Sequence, residues 1–259
     1  MAHIPCFVVN LATATQRREA MASLFAQQGI TPRWFEAVDG RVMSAEDMAK
    51  HFAADIAAHV YGALNPSEIG CALSHLGIYR LMVEQGIASA VIVEDDVALA
   101  SDFATLLDEQ TGLSTMFGAD EPVMVQLTHV RRGYRFGARA VGNYKVVRPD
   151  GGVWGTYGYF ITLAAAQRML HGAYPVRTVA DYWRYFEQQN FLTLYALTPN
   201  VVWGGPLSQD SFISQERSPR RRHRRALGYY LKRLWQSVVT RPLLVTKLIE
   251  RTSERRQGG

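Results

Sequence analysis

Glu94, Asp95 and Asp96 stand together at the carboxyl end of the apolar run 90–93. Carboxylates in that position suit a hard divalent cation. Mg²⁺ or Mn²⁺ takes one or two such groups together with substrate phosphates, and the ion then neutralises a departing anion. Read alone, the cluster is more often a solvated strand end or a helix cap. Alternation along a strand would place Glu94 and Asp96 on one side and Asp95 on the other. A second stretch with chemical content is 151–160, GGVWGTYGYF, which packs four glycines and four aromatics into ten residues. Glycine permits tight turns and close backbone approach, and the faces of Trp154 and Tyr157 can stack on sugar rings or bases. Core packing is the commoner fate of either ring.

The elements that must hold these residues follow from periodicity and punctuation. Residues 4–11 read as a strand, and 14–28 as a helix with Met21, Leu24 and Phe25 on one face and Gly29 stopping it. A short strand is expected at 34–38. Ser44 opens a helix along which Met48, Phe52, Ile56 and Val60 recur every four residues, with Asp47 placed as in a capping box. Asn65 can cap the next helix, Pro66 suits its first position and Glu68 its third, which predicts a helix to Gln85 that stops at Gly86. Residues 90–93, 123–127 and 159–163 read as further strands, and 164–170 as a helix. Strands and helices therefore alternate, as in an α/β domain. Open sheets of that class bind ligands outside the carboxyl ends of their strands, where the three acids stand.

Composition bounds the rest. With 259 residues, 48% of them apolar and 20% charged, the chain has material for a sizeable core, which excludes general disorder and fibres. Its two cysteines, Cys6 and Cys71, exclude a disulfide scaffold and read as reduced, buried thiols of a cytoplasmic protein. The first residues lack a basic region ahead of their apolar stretch, and no uncharged apolar run approaches the roughly 20 residues of a bilayer span. Secretion and membrane spanning are not expected.

The net charge of +5 divides unevenly: residues 217–259 hold 13 Lys/Arg against 2 Asp/Glu, whereas residues 1–216 hold 15 against 21. This gives two units, a domain over 1–216 and a basic extension over 217–259. The extension carries RRRHRR at 220–225, then Leu227, Tyr230, Leu231, Leu234 and Val238 along one side of a helical pattern. An apolar stripe beside Lys232 and Arg233 is the pattern of a helix lying in a membrane interface, where each basic residue contributes about 1 kcal/mol. A terminal helix docked on its own domain is the alternative. Nucleic acid is a third and weaker reading, because no base-reading motif accompanies the arginines.

The run 68–96, EIGCALSHLGIYRLMVEQGIASAVIVEDD, resembles the core signature of glycosyltransferase family 25, the lipooligosaccharide and lipopolysaccharide sugar transferases to which the collagen galactosyltransferases are related. The likeness joins Glu68, Gly70, Cys71, Ser74 and His75 to an apolar strand and Glu94-Asp95-Asp96 at the family's spacing. Val9-Asn10-Leu11, Arg17-Arg18 and Met21, then Phe35 and Ala37-Val38-Asp39-Gly40, also resemble its opening segment. The resemblance covers 4 to about 210 and leaves the tail outside.

It implies a GT-A-type nucleotide-sugar-binding fold with a central, mainly parallel sheet. It also implies a UDP-sugar donor, a divalent metal (Mn²⁺ or Mg²⁺) at the acidic strand end, and inverting transfer. Asp96 is then the metal ligand, Glu94 shares the metal or contacts the donor, and Asp95 contacts the donor. Arg17, Arg18 and His75 fall on the donor side, since a guanidinium offers paired donors to phosphate. For Arg17 and Arg18 a solvated helix start remains open, and for His75 a hydrogen-bonded core position. Inversion needs a base for the acceptor hydroxyl, and Asp181, followed by Tyr182 and Trp183, takes that role unless it merely caps the 182–188 helix. Asp210 is the reserve for the base or a late metal contact. Trp154 and Tyr157 are assigned to the acceptor groove.

The expected activity is transfer of a hexose, galactose foremost, from a nucleotide-sugar donor to a lipid-linked lipooligosaccharide or lipopolysaccharide acceptor. The enzyme would be cytoplasmic and held at the inner membrane face by its tail. Two rivals stay open: a binding or adhesion protein that keeps the transferase fold without turnover, and a metal-dependent phosphohydrolase using the same acids.

Overall fold

The computed structural model describes residues 2–210 and 244–251. The apolar run at the start forms β1 (Cys6–Asn10), and α1 (Thr15–Ala26) buries Met21 and Phe25 before the chain turns at Gly29, whose φ is +67°. β2 (Arg33–Glu36) pairs parallel with β1. The single helix expected after Ser44 is two, α2 (Ala45–His51) and α3 (Ala54–Val60). The break has a backbone cause: the Val176 N–H donates to His51 O and the Ala53 N–H to Val176 O, both at 2.8 Å, so helical partners are exchanged for a bridge to another segment. α4 (Pro66–Glu84) begins as expected. The Asn65 side chain accepts from the Glu68 N–H at 2.7 Å, and the Asn65 N–H donates to the Glu68 carboxylate at 3.1 Å.

The chain continues through β3 (Ser89–Glu94), β4 (Val97–Leu99), α5 (Ala104–Leu107) and β5 (Val123–Gln126). Then come β6 (Arg132–Tyr134), β7 (Arg139–Val141), β8 (Tyr144–Val147), β9 (Gly158–Thr162), α6 (Leu163–Ala173) and α7 (Trp183–Gln188). β10 (Thr193–Thr198), β11 (Val202–Gly204) and β12 (Val245–Lys247) follow. Eight strands form one sheet in the order β2-β1-β3-β9-β5-β10-β8-β7. The sheet is mixed: β2, β1 and β3 run parallel, as do β5 and β10, while β9 lies antiparallel between β3 and β5, and β10, β8 and β7 pair antiparallel.

Side-chain alternation divides the core between the sheet's two faces. Val8, Val91, Val93, Val125 and Phe160 join Phe25 and Phe103 on one face. Phe7, Ile92, Tyr159 and Ile161 join Ile78, Tyr79 and Trp183 on the other. This is a helix–sheet–helix sandwich of the α/β class. The antiparallel course of β9 has a further effect, since it brings the glycine-aromatic loop 151–157 to the carboxyl end of β3.

The arginine run 220–225 and the apolar stripe from Leu227 to Val238 lie outside the described residues. At 244–251 the chain packs on the α/β domain: β12 pairs antiparallel with β6, and the Asn200 amide donates to Arg251 O at 2.9 Å and accepts from the Arg251 N–H at 2.7 Å. Among the described residues no helix is long and apolar enough to cross a membrane.

Candidate active site

The carboxyl ends of β1 and β3, the loop after β2 and one face of α4 line an open cleft of about 130 Å³. Much of the E-x-G-C-x-x-S-H pattern builds its wall. Glu68 closes the capping box that fixes the phase of α4. Gly70 allows close approach, since a Cβ there would fall 2.5 Å from Val38 O, and a Cβ on Gly40 would fall 1.9 Å from Pro66 O. The Ser74 hydroxyl accepts from the Val38 N–H and donates to Gly70 O, each at 2.8 Å. Cys71 and His75, one turn apart, are left facing the cleft.

The acidic residues do not alternate as a continuous strand would require. β3 ends at Glu94, and Asp95 and Asp96 occupy the turn before β4, so both swing toward α1. One Arg17 nitrogen reaches Asp95 at 3.1 Å and Asp96 at 3.4 Å, and the Asn10 amide donates to Asp95 at 2.7 Å. Glu94 turns the other way and accepts from the Thr156 hydroxyl. Burial, helped by the neighbouring Asp96 charge, pushes the Glu94 carboxyl up to about 8. Burial also lifts Asp96 to about 6, against the opposing pull of Arg17. The Asp96 Oδ1 atom is buried without a hydrogen-bond partner among the described residues.

Asp181 is not a helix cap. Tyr182 occupies that position without a side-chain capping bond, and Asp181 instead accepts from the Gly155 N–H at 3.0 Å. The neighbouring Trp183 indole donates to Gly155 O at 2.9 Å, which fixes the loop from its other side. Trp154 is 49% exposed and stacks on Tyr182 with centroids 5.1 Å apart and planes 11° from parallel. Tyr157 packs against the core. Arg18 lies over the Trp34 ring at 4.4 Å and, unlike Arg17, does not line the cleft. Asp210 ends a 3₁₀ turn, Pro206–Asp210, and its side chain lies outside the described part of the structure.

His75 is buried, its Nδ1 2.7 Å from the Tyr159 hydroxyl, which is itself 2.7 Å from the Tyr79 hydroxyl. Burial pushes the imidazole down to about 4, which leaves it neutral at physiological pH. The expectation of two buried thiols holds for Cys6; Cys71 is partly exposed in the cleft wall. Both are free, and burial pushes both thiols up.

The profile of glycosyltransferase family 25 (LPS biosynthesis protein) matches residues 3–183, a stretch that includes the whole cleft wall. The chain belongs to glycosyltransferase family 25. Among similar proteins, the lacto-N-neotetraose biosynthesis glycosyltransferase LgtE of Neisseria meningitidis serogroup B is 26% identical over 239 residues, 85% of this chain and 84% of that protein. A Rattus norvegicus protein, probable inactive glycosyltransferase 25 family member 3, is 35% identical over 107 residues, and the match spans 39% of this chain and only 18% of the relative. Among solved structures, mannose-1-phosphate geranyltransferase from Thermus thermophilus covers 78% of this chain and 75% of its own with a TM-score of 0.38 at 13% identity.

In this family 25 cleft, Asp39 and Cys71 of the wall, and Asn10 and Thr156, which bond to its acids Asp95 and Glu94, are not among the site residues read from the sequence. For Cys71 a signal was present: a cysteine and a histidine four apart on one helix share a face. For Thr156, only the pairing of β9 with β3 reveals the contact. Asp39 sits on the rim, where the Arg41 guanidinium beside it holds its carboxyl below the usual range.

Proposed function

We propose that the chain is an inverting, divalent-metal-assisted hexosyltransferase that moves galactose from UDP-galactose to a lipooligosaccharide or lipopolysaccharide glycan. The observation that carries this reading is the acidic turn at the floor of the cleft, with a buried Asp96 oxygen that no described protein group satisfies. Such an atom costs about 1–3 kcal/mol when left unpaired, and an oxygen-seeking cation would satisfy it. The residues therefore fit the expected metal: Asp96 would hold it, with Asp95 beside it. A bound Mg²⁺ or Mn²⁺ would supply neutralisation of the leaving diphosphate.

The protein's own groups divide the remaining work. Arg17, held by Asp95 and Asp96, presents a guanidinium at the β1 end, where phosphate oxygens would lie. Asp181, fixed by the Gly155 amide, is the carboxylate assigned to take the acceptor hydroxyl's proton. The exposed Trp154 face, backed by Tyr182, is suited to a sugar ring of the acceptor. The family's LPS biosynthesis proteins, and LgtE as a glycosyltransferase of lacto-N-neotetraose biosynthesis, support a lipopolysaccharide-type glycan acceptor. The basic composition of 217–259 supports attachment to an anionic membrane face.

A second reading, a fold retained without turnover, is favoured by the relative described as inactive. Purified protein supplied with Mn²⁺, a panel of nucleotide sugars and a glycan acceptor separates the readings. Release of intact nucleoside diphosphate with a glycosylated product supports transfer, inorganic phosphate supports a phosphohydrolase, and donor binding without either product supports the retained fold.

A further inference from the structure

We propose that Cys71, His75 and Glu94 form a binding site for a thiophilic divalent ion of the Zn²⁺ class, separate from the oxygen-rich turn at Asp95 and Asp96. The thiol, an imidazole nitrogen and a carboxylate oxygen of these three residues all lie within 4.8 Å of one another. Ligands held at about 2.0–2.3 Å around a tetrahedral Zn²⁺ stand roughly 3.3–3.8 Å apart, so closing on an ion needs side-chain shifts of about 1 Å. Two of the three ligands come from one helix face at i and i+4, and the third is the last residue of β3. Both elements are anchored, α4 by its capping box and by the Ser74 tether to Val38, and β3 by strands on either side.

An independent observation points to a ligand here. His75 is only 2% exposed, and its Nε2 atom has no hydrogen-bond partner among the described residues. Its other ring nitrogen faces the Tyr159 hydroxyl, which meets that of Tyr79. With Nδ1–H donating to Tyr159, and Tyr159 donating to Tyr79, the Nε2 lone pair is free for an ion. Outer partners of this kind orient the ring of metal-bound histidines. The ligand chemistry selects the ion: thiolate and imidazole favour Zn²⁺ or Co²⁺ over Mg²⁺ and Mn²⁺, which belong with the aspartates.

Charge also balances. On binding, the Cys71 thiol and the Glu94 carboxyl each give a proton to solvent and His75 stays neutral, so a divalent ion with these ligands carries no net charge into the cleft wall. No electron changes hands. Three protein ligands leave a fourth position, and Cys71, partly exposed in the cleft, marks the route in from solvent. The site rests on this cluster alone and not on the glycosyl-transfer reading.

The test uses the full chain, stripped with a chelator, returned to Co²⁺ or Zn²⁺ and freed of excess metal by gel filtration. Co²⁺ should give a thiolate charge-transfer band with strong visible bands of a tetrahedral site, and Zn²⁺ should remain bound at one ion per chain. Cys71→Ser should abolish the charge-transfer band, and Tyr159→Phe should weaken Zn²⁺ binding about 10- to 100-fold. Asp96→Asn should leave the band in place, which separates this site from the one assigned to the transferase metal. Should Cys71→Ser fail to fold, the unsubstituted protein still decides: bound Zn²⁺ should protect Cys71, mapped by mass spectrometry, from alkylation. Absence of the band, its persistence in folded Cys71→Ser, or alkylation of Cys71 unaffected by Zn²⁺ would overturn the proposal.

Discussion

The Gly155 N–H donates to the Asp181 carboxylate at 3.0 Å and so ties the glycine-aromatic loop before β9 to the segment before α7. Asp181→Asn retains an oxygen that can accept this bond and removes the capacity to take a proton. Transfer should slow by roughly 10²- to 10⁴-fold while donor affinity and the unfolding midpoint stay near those of the unsubstituted protein. Steady-state kinetics with separate donor-binding titration checks this. A variant with an unchanged rate would remove Asp181 from the chemistry.

Glu94 sets a pH dependence whose sign is fixed by its raised value. Its carboxyl titrates at about 8 in the fold against an ordinary 4.5, so the folded state binds the proton more tightly than the unfolded chain. Stability is therefore lost as pH rises from about 4.5 to 8, and the penalty is complete above that window. Glu94→Gln escapes it and keeps an acceptor for Thr156. The variant should gain on the unsubstituted protein by a few kcal/mol between pH 5 and pH 8.5, since each tenfold difference in proton affinity between the folded and unfolded chain is worth about 1.4 kcal/mol. Urea unfolding at the two pH values provides the measurement, and equal midpoint differences at both would contradict the assignment.

Much of this site was legible in the sequence because local rules govern it. Asn65, Pro66 and Glu68 announce the start of α4, and the apolar run ahead of Glu94 announces β3. What could not be read depends on contacts between distant segments. Alternation mispaired Glu94 with Asp96 because β3 ends one residue before the turn, and the helix at 45–60 broke because Val176 supplies backbone partners. Asp181 is indistinguishable from a cap until Gly155 is seen against it.

Gly70→Ala should cost about 1–3 kcal/mol and impair donor binding, because the added Cβ meets Val38 O at 2.5 Å and backbone cannot yield as a side chain would. Thermal unfolding together with nucleotide-sugar titration tests both effects. Retention of full stability would show that α4 is not held by this approach.

Truncation after Glu216 should destabilise the domain. It removes β12 and takes the Arg251 backbone from Asn200, whose amide nitrogen keeps Val202 O at 3.2 Å while its oxygen loses its partner, a loss of about 1–3 kcal/mol. Chemical denaturation of the truncated chain supplies the figure, and an unchanged midpoint would mean that residues 244–251 add nothing to the fold.

Metal-assisted transfer at the acidic turn stands or falls on UDP-galactose turnover with a glycan acceptor and Mn²⁺, followed in the unsubstituted protein and in Asp96→Asn. UDP release should be matched by a β-linked galactosylated product, should depend on the ion, and should be lost in Asp96→Asn, which stays folded by circular dichroism. Full turnover by Asp96→Asn, or release of inorganic phosphate in place of UDP, would contradict it.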